Sequence, residues 1–190
     1  MMPQTLVVCV CLLLCGCSGN LVFGDDDQAD DDDDQADDDD GPPPLPTIAA
    51  GGVHTCADLD GWECWGLNNA GQLDRPEVEL ITVAAGGQFS CGLDLDGFPV
   101  CWGSNQWGAT DAPHVPLSAI VAGNWHACGL DLDGFPVCWG IELSGESWPP
   151  EGVGPFSELS AGVSHTCGRL VAGGIVCWGS NASGQCDVPR

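Results

Sequence analysis

The tripeptide Cys-Trp-Gly occurs four times in this chain, at Cys64-Trp65-Gly66, Cys101-Trp102-Gly103, Cys138-Trp139-Gly140 and Cys177-Trp178-Gly179. Each copy follows a second cysteine by eight or ten positions (Cys56, Cys91, Cys128, Cys167). Each also lies downstream of an Ala-Gly pair: Ala50-Gly51, Ala85-Gly86, Ala122-Gly123 or Ala161-Gly162. A unit that returns every 35 to 39 residues is too short to bury its own apolar face and must stack on copies of itself, so the chain reads as a repeat protein. The repeats fill residues 47–190 as four units, 47–79, 80–116, 117–154 and 155–190.

Within a unit the pattern is β. The second unit carries three short apolar, β-branched or aromatic runs, Leu80 to Ala84, Gln88 to Asp94 and Phe98 to Trp102, separated by Gly-Gly and by Leu95-Asp96-Gly97. Short runs punctuated by glycine turns predict antiparallel strands and leave no room for a helix. A three-residue hairpin loop with its glycine in the left-handed conformation sets Cys91 opposite Cys101. The same turn sets Cys128 opposite Cys138, and Val171-Ala172-Gly173 sets Cys167 opposite Cys177. The first hairpin is two residues shorter, and Leu59-Asp60-Gly61 still sets Cys56 opposite Cys64. Directly opposed cysteines fall within disulfide range, so four bonds are expected if the chain is exported. A loop of this size contributes on the order of 2 to 3 kcal/mol in the chain-entropy model.

Zinc is the competing reading, because His54, His126 and His165 each stand two residues before a cysteine. Phe89 holds the equivalent place in the second unit, which favours histidines that pack, with no metal and no cofactor. Each tryptophan of Cys-Trp-Gly is expected to pack against the next unit, with Gly71, Gly108, Gly145 and Gly184 where the chain turns six positions later. Asn68, Asn105 and Asn181 suit turns with side chain to backbone bonds, and Glu142 predicts that the third connection differs. In Asp-Leu-Asp-Gly the aspartates read as turn formers, being too few for a calcium loop. Cys186 takes the place of Leu73, either as a small buried hydrophobe or as a thiol for an intermolecular bridge.

Two different segments precede the repeats. Leu6 to Leu14 is a short apolar run followed by small residues, the pattern of an export signal over residues 1–16. Leu14-Cys15-Gly16-Cys17 resembles the bacterial lipoprotein box, which implies lipid attachment at Cys17; no Lys or Arg precedes the run, and Cys15 is unusual at its position. Ordinary signal cleavage is the alternative. Residues 17–46 read as a linker. Between Asp25 and Asp40 it holds 12 of the 28 acidic residues, and Gly41-Pro42-Pro43-Pro44-Leu45-Pro46 follows. Such a stretch buries nothing and repels itself into a disordered, extended stalk, with weak calcium binding by its carboxylates as the functional alternative. The formal charge is −25 with three arginines and no lysine. A surface this acidic repels phosphate backbones, so nucleic acid is not an expected partner.

Ala-Gly-Gly-x-His-Thr-Cys, then Asp-Gly, then Cys-Trp-Gly-x-Asn-x-x-Gly-Gln-Leu, resembles the repeat of the regulator of chromosome condensation superfamily. The likeness is strongest to its short bacterial form, shared with a secreted propeller-type β-lactamase inhibitor. The resemblance implies an all-β fold, a partial or small β-propeller of four short antiparallel blades, with loops that make protein contacts. Closed members of the family carry more blades than four, so an open arc, a tight ring or pairing with a second chain are the options. Nucleotide exchange on a nuclear GTPase fits neither export nor acidity, and inhibition of β-lactamase belongs to particular loop residues that cannot be placed in this sequence.

The expected function is an exported, lipid-anchored protein-binding module of the bacterial cell envelope, at the outer membrane or cell surface, or else secreted. Contacts are expected on the stretches that vary between units, Leu73 to Glu79, Ala109 to Pro116 and Ile141 to Pro155. Trp107, Trp125 and Trp148 lie outside the repeated position and are candidate anchors, with core packing the alternative for Trp125. A passive structural envelope protein is the second reading. An enzyme is not expected: no nucleophile elbow, glycine-rich phosphate loop or His-Glu metal motif occurs.

Overall fold

The structure is a computed structural model and describes residues 47–189. The leader, Cys17 and the acidic linker lie outside the described residues. The repeats form four three-stranded antiparallel sheets, each in chain order. Blade 1 comprises β1 (Ile48–Ala50), β2 (His54–Asp58) and β3 (Trp62–Gly66), and blade 2 comprises β4 (Leu80–Ala85), β5 (Phe89–Asp94) and β6 (Pro99–Gly103). Blade 3 is β7 (Leu117–Ala122), β8 (His126–Asp131) and β9 (Pro136–Gly140); blade 4 is β10 (Phe156–Ala161), β11 (His165–Leu170) and β12 (Ile175–Gly179). A short 3-10 turn at Gln106–Gly108 is the one helical segment among the described residues.

Hairpin register follows the turns. Cys56 pairs with Cys64, Cys91 with Cys101, Cys128 with Cys138 and Cys167 with Cys177. Disulfides join all four pairs, with Cα atoms 4.0 to 4.1 Å apart, the close kind of cross-strand opposition. Asp94 Oδ1 accepts the amides of Asp96 (3.0 Å) and Phe98 (2.8 Å), and Asp131 Oδ1 accepts those of Asp133 and Phe135. The first aspartate of each Asp-Leu-Asp-Gly in blades 2 and 3 is thus spent on its own turn. In the shorter first hairpin both Asp60 (φ 66°) and Gly61 (φ 129°) lie in the left-handed region.

Cys-Trp-Gly serves the joints between blades. Trp102 Nε1 donates to Gln72 O at 2.9 Å, Trp139 Nε1 to Ala109 O at 3.0 Å and Trp178 Nε1 to Glu146 O at 3.1 Å. Each indole therefore packs on the connection of the preceding blade, not on the next unit as expected from the sequence. The following glycine has φ near 100° in blades 2 to 4. A Cβ on Gly103 would stand 2.8 Å from Gln88 O and 2.9 Å from Phe89 Cα, so no other residue fits.

A second contact crosses the same joints. His54 Nε2 lies 2.7 Å from Ser90 Oγ, and His126 Nε2 lies 2.9 Å from Thr166 Oγ1. At the middle joint Phe89 and Ala127 share one apolar cluster with Leu93 and Ile120, so ring and hydroxyl are lost together. Blade 1 packs on blade 2, blade 2 on blade 3 and blade 3 on blade 4, and no contact of that extent joins blade 4 to blade 1 among the described residues. The array is an open arc.

Candidate protein-binding surface

The connections that follow Cys-Trp-Gly set the surface. In three of them an asparagine amide donates to an aspartate six residues on: Asn68 to Asp74, Asn105 to Asp111 and Asn181 to Asp187, each at 2.8 Å. The same asparagines accept backbone amides through Oδ1, from Leu73, Thr110 and Cys186. In the third connection Glu142 replaces the asparagine and Trp148 stands where the aspartate would be. Ser147 Oγ instead donates to Ile141 O at 2.8 Å. Sequence reasoning found the asparagines but missed this bracket, although the six-residue spacing and the paired change at Glu142 and Trp148 were both readable.

Loss of the bracket leaves Trp148 65% exposed. Trp107 is 54% exposed and has φ 65°, a conformation that a bulky residue seldom adopts. The cause is local. At the equivalent place in the other connections, Ala70, Ser144 and Ser183 each donate their amide to the side chain of Gln72, Glu146 or Gln185. Ala109 fills that position after Trp107 and offers no acceptor. The structure thus exposes Trp107 and Trp148, on the second and third connections, whereas Trp125 is half-buried.

The stretch Leu73 to Glu79 is held by Arg75, whose Nη1 donates to Val78 O at 2.8 Å. With Asp58, Trp62 and Leu95 it borders a recess of about 560 Å³. A shallower depression of about 280 Å³ lies where the four Ala-Gly turns converge. Its amides are occupied by neighbouring blades, Gly52 N on Gly86 O, Gly87 N on Asn124 O and Asn124 N on Val163 O, which leaves little to offer a ligand.

The two buried histidines are tuned by packing. Ser90 Oγ donates to Gln72 O at 3.2 Å, so His54 Nε2 is the donor in its bond to Ser90 and the bare nitrogen is Nδ1. Nδ1 of both His54 and His126 is buried without a partner. Burial lowers the pKa of His54, and that of His126 to about 4; nearby Glu146 opposes the shift at His126 and His165 adds to it. Both rings are neutral at pH 7 and hydrogen-bonded between blades, with His54 as the donor in its bond. Among the described residues no group of three His, Cys, Asp or Glu side chains is placed to hold a metal. Cys186 is half-buried with Sγ 3.5 Å from Ser180 O, and burial, then Asp187, push its thiol pKa up.

Residues 156–185 match the family model of the regulator of chromosome condensation (RCC1) repeat. No curated protein matches the chain in sequence. Among solved structures, the Crinkly WD40 ectodomain of the Arabidopsis thaliana receptor kinase ACR4 is 34% identical, with a TM-score of 0.61 over 70% of this chain and 49% of that one. The ectodomain of the Physcomitrella patens receptor kinase CR4 is 33% identical, with a TM-score of 0.60 over 70% of this chain and 40% of that one. Prp20p of Saccharomyces cerevisiae shares the fold at 21% identity, with a TM-score of 0.64 over 75% of this chain and 46% of that one. The chain spans about half the length of these relatives or less. Its fourth blade thus carries a repeat that matches the regulator of chromosome condensation model, and the blade array as a whole is similar in fold to these propeller-type structures.

Proposed function

We propose that this protein is an exported binding module that recognises another protein through the connections of its blades, held at the cell envelope by a lipid on Cys17. The observation that carries the reading is the pair Trp107 and Trp148. Both are more than half exposed, on connections that differ while the hairpins beneath them repeat. Large aromatic side chains on rigidly supported loops are the usual anchors of protein interfaces. The left-handed backbone at Trp107 is the sort of strain that persists where function favours it. Trp125 is the weaker candidate because it is half-buried.

Three further points support the reading. Four disulfides suit an oxidising compartment outside the cytosol. The two receptor-kinase relatives are ectodomains. Prp20p, with the same fold, is described with binding to Gsp1p and histones, and a protein ligand for the present chain is the analogous role, with an acidic surface that turns it away from nucleic acid. No catalytic step is assigned. The segments before residue 47 act in this reading as signal, anchor and spacer.

The test is affinity capture from envelope extract with the wild-type chain, followed by titration of any captured partner against Trp107→Ala, Trp148→Ala and the double variant. The reading predicts a loss of at least about tenfold for one single variant and more for the double. Unchanged affinity of the double variant, or no specific partner at all, would favour the passive envelope role instead.

A further inference from the structure

Among the described residues, the outer faces of blades 1 and 4 are each half of a joint that is built three times between the blades. We propose that two copies of this chain join head to tail, the outer face of blade 4 in one copy seating on the outer face of blade 1 in the other, so that two arcs close one ring.

The residues left over at the ends are the ones an internal joint uses. Trp102, Trp139 and Trp178 are each 7% exposed, but Trp65, their counterpart in blade 1, is 48% exposed and makes no hydrogen bond through its indole among the described residues. The carbonyl that would meet it belongs to Gln185, which follows Gly184 as Gln72 follows Gly71. The two loops share their internal bonds: Ser183 N donates to Gln185 Oε1 as Ala70 N donates to Gln72 Oε1, both at 2.9 Å. Gln72 is fully buried under blade 2, whereas Gln185 is only half-buried.

The histidine contact is split in the same way. Where His54 meets Ser90 and His126 meets Thr166, His165 of blade 4 is left for Thr55 of blade 1. Ser90 and Thr166 are fully buried, and His165 and Thr55 are half-buried. Ile48 is 65% exposed, while its counterparts Val83, Ile120 and Leu159 are covered by the preceding blade at 9% or less.

One pair has changed chemistry, and in a complementary sense. Val176 of blade 4 packs in one cluster with Leu130 of blade 3, and Val137 of blade 3 packs in one with Leu93 of blade 2. At the free ends the same two places hold Glu63 on blade 1 and Arg169 on blade 4. An apolar pair has become an acid facing a base. Arg169 already holds Glu158 at 3.1 Å, and a guanidinium has donors for a second carboxylate. Glu158 and Ser160 make the blade 4 face more polar than the internal ones, as a solvent cap would be. The blade 1 face is not capped, since Ile48 and Trp65 lie open. Two chains related by a two-fold axis would satisfy both joints at once and leave no strand face unpaired.

The experiment is analytical ultracentrifugation of the purified full-length chain under oxidising conditions across a concentration series, with Trp65→Ala, Glu63→Arg and the pair Glu63→Val with Arg169→Leu. Both Trp65 and Glu63 are exposed within one copy, so these changes leave the arc folded, which near-ultraviolet circular dichroism checks. The proposal expects a discrete species of twice the chain mass. Trp65→Ala and Glu63→Arg should each weaken it by at least about tenfold, as loss of an interface anchor or a like-charge contact does. The Val and Leu pair should keep it, because it rebuilds the internal contact. A monomer at every concentration, an open-ended ladder, or a dimer indifferent to Trp65→Ala and Glu63→Arg would overturn the proposal.

Discussion

At the scale of single residues, His126 links folding to pH. Its ring is fully buried, Nε2 is spent on Thr166 Oγ1 and Nδ1 has no acceptor to receive a second proton. The unfolded chain takes up that proton near the ordinary histidine value of 6.5, the folded one only at about 4. More protons are bound by the unfolded state between these values, so stability is complete above the upper one and falls as pH drops toward the lower. The loss is on the order of 3 kcal/mol, with His54 adding in the same direction. Urea melts at pH 7.5 and pH 4.5 should reveal it. The double change His126→Phe with Thr166→Ala copies the Phe89 and Ala127 joint and should flatten the pH dependence while keeping the blades folded. Trp139→Phe keeps the apolar ring but strands the carbonyl of Ala109, a cost of about 1 to 3 kcal/mol measured by thermal unfolding.

At the scale of the element, each blade is a hairpin whose register was readable because a turn type fixes it. Asp-Gly or Ala-Gly at the loop sets which residues oppose, and the cysteines fall into line in all four blades, including the shortened first. The direction in which each tryptophan packs was not readable. Its partner is a main-chain carbonyl 30 to 32 residues upstream, and a carbonyl has no residue type to betray it. The contact of histidine with hydroxyl left a trace that could have been used: His54 with Ser90, His126 with Thr166, and both partners apolar at Phe89 and Ala127. The exposed loop tryptophans were visible as departures from the repeat, while the left-handed backbone at Trp107 needs coordinates. A test at this scale is Gly140→Ala. With φ 101° and His126 Cα 2.8 Å from the added Cβ, it should destabilise by at least about 1 to 3 kcal/mol and lower the melting temperature, whereas Gly152→Ala, with open space around it, should cost less.

At the scale of the whole molecule, small blades with thin apolar clusters depend on their staples and on one another. Three core clusters each bridge two successive blades, which is the one-dimensional economy of a repeat array. A perturbation at one joint is therefore expected to loosen its two neighbours first. The disulfides close eight- and ten-residue separations in every blade, each adding about 2 to 3 kcal/mol in the chain-entropy model, so reduction should unfold the arc at a temperature well below that of the oxidised protein. Intact mass and peptide mapping of the natively expressed protein, alkylated before and after reduction, tests these staples most directly. The expected result is that Cys56, Cys64, Cys91, Cys101, Cys128, Cys138, Cys167 and Cys177 are masked until reduction and recovered as the four hairpin pairs, with Cys186 alkylated from the start. Free thiols at those eight positions, or bonds that cross between blades, would contradict the oxidised blade array and the exported role built upon it.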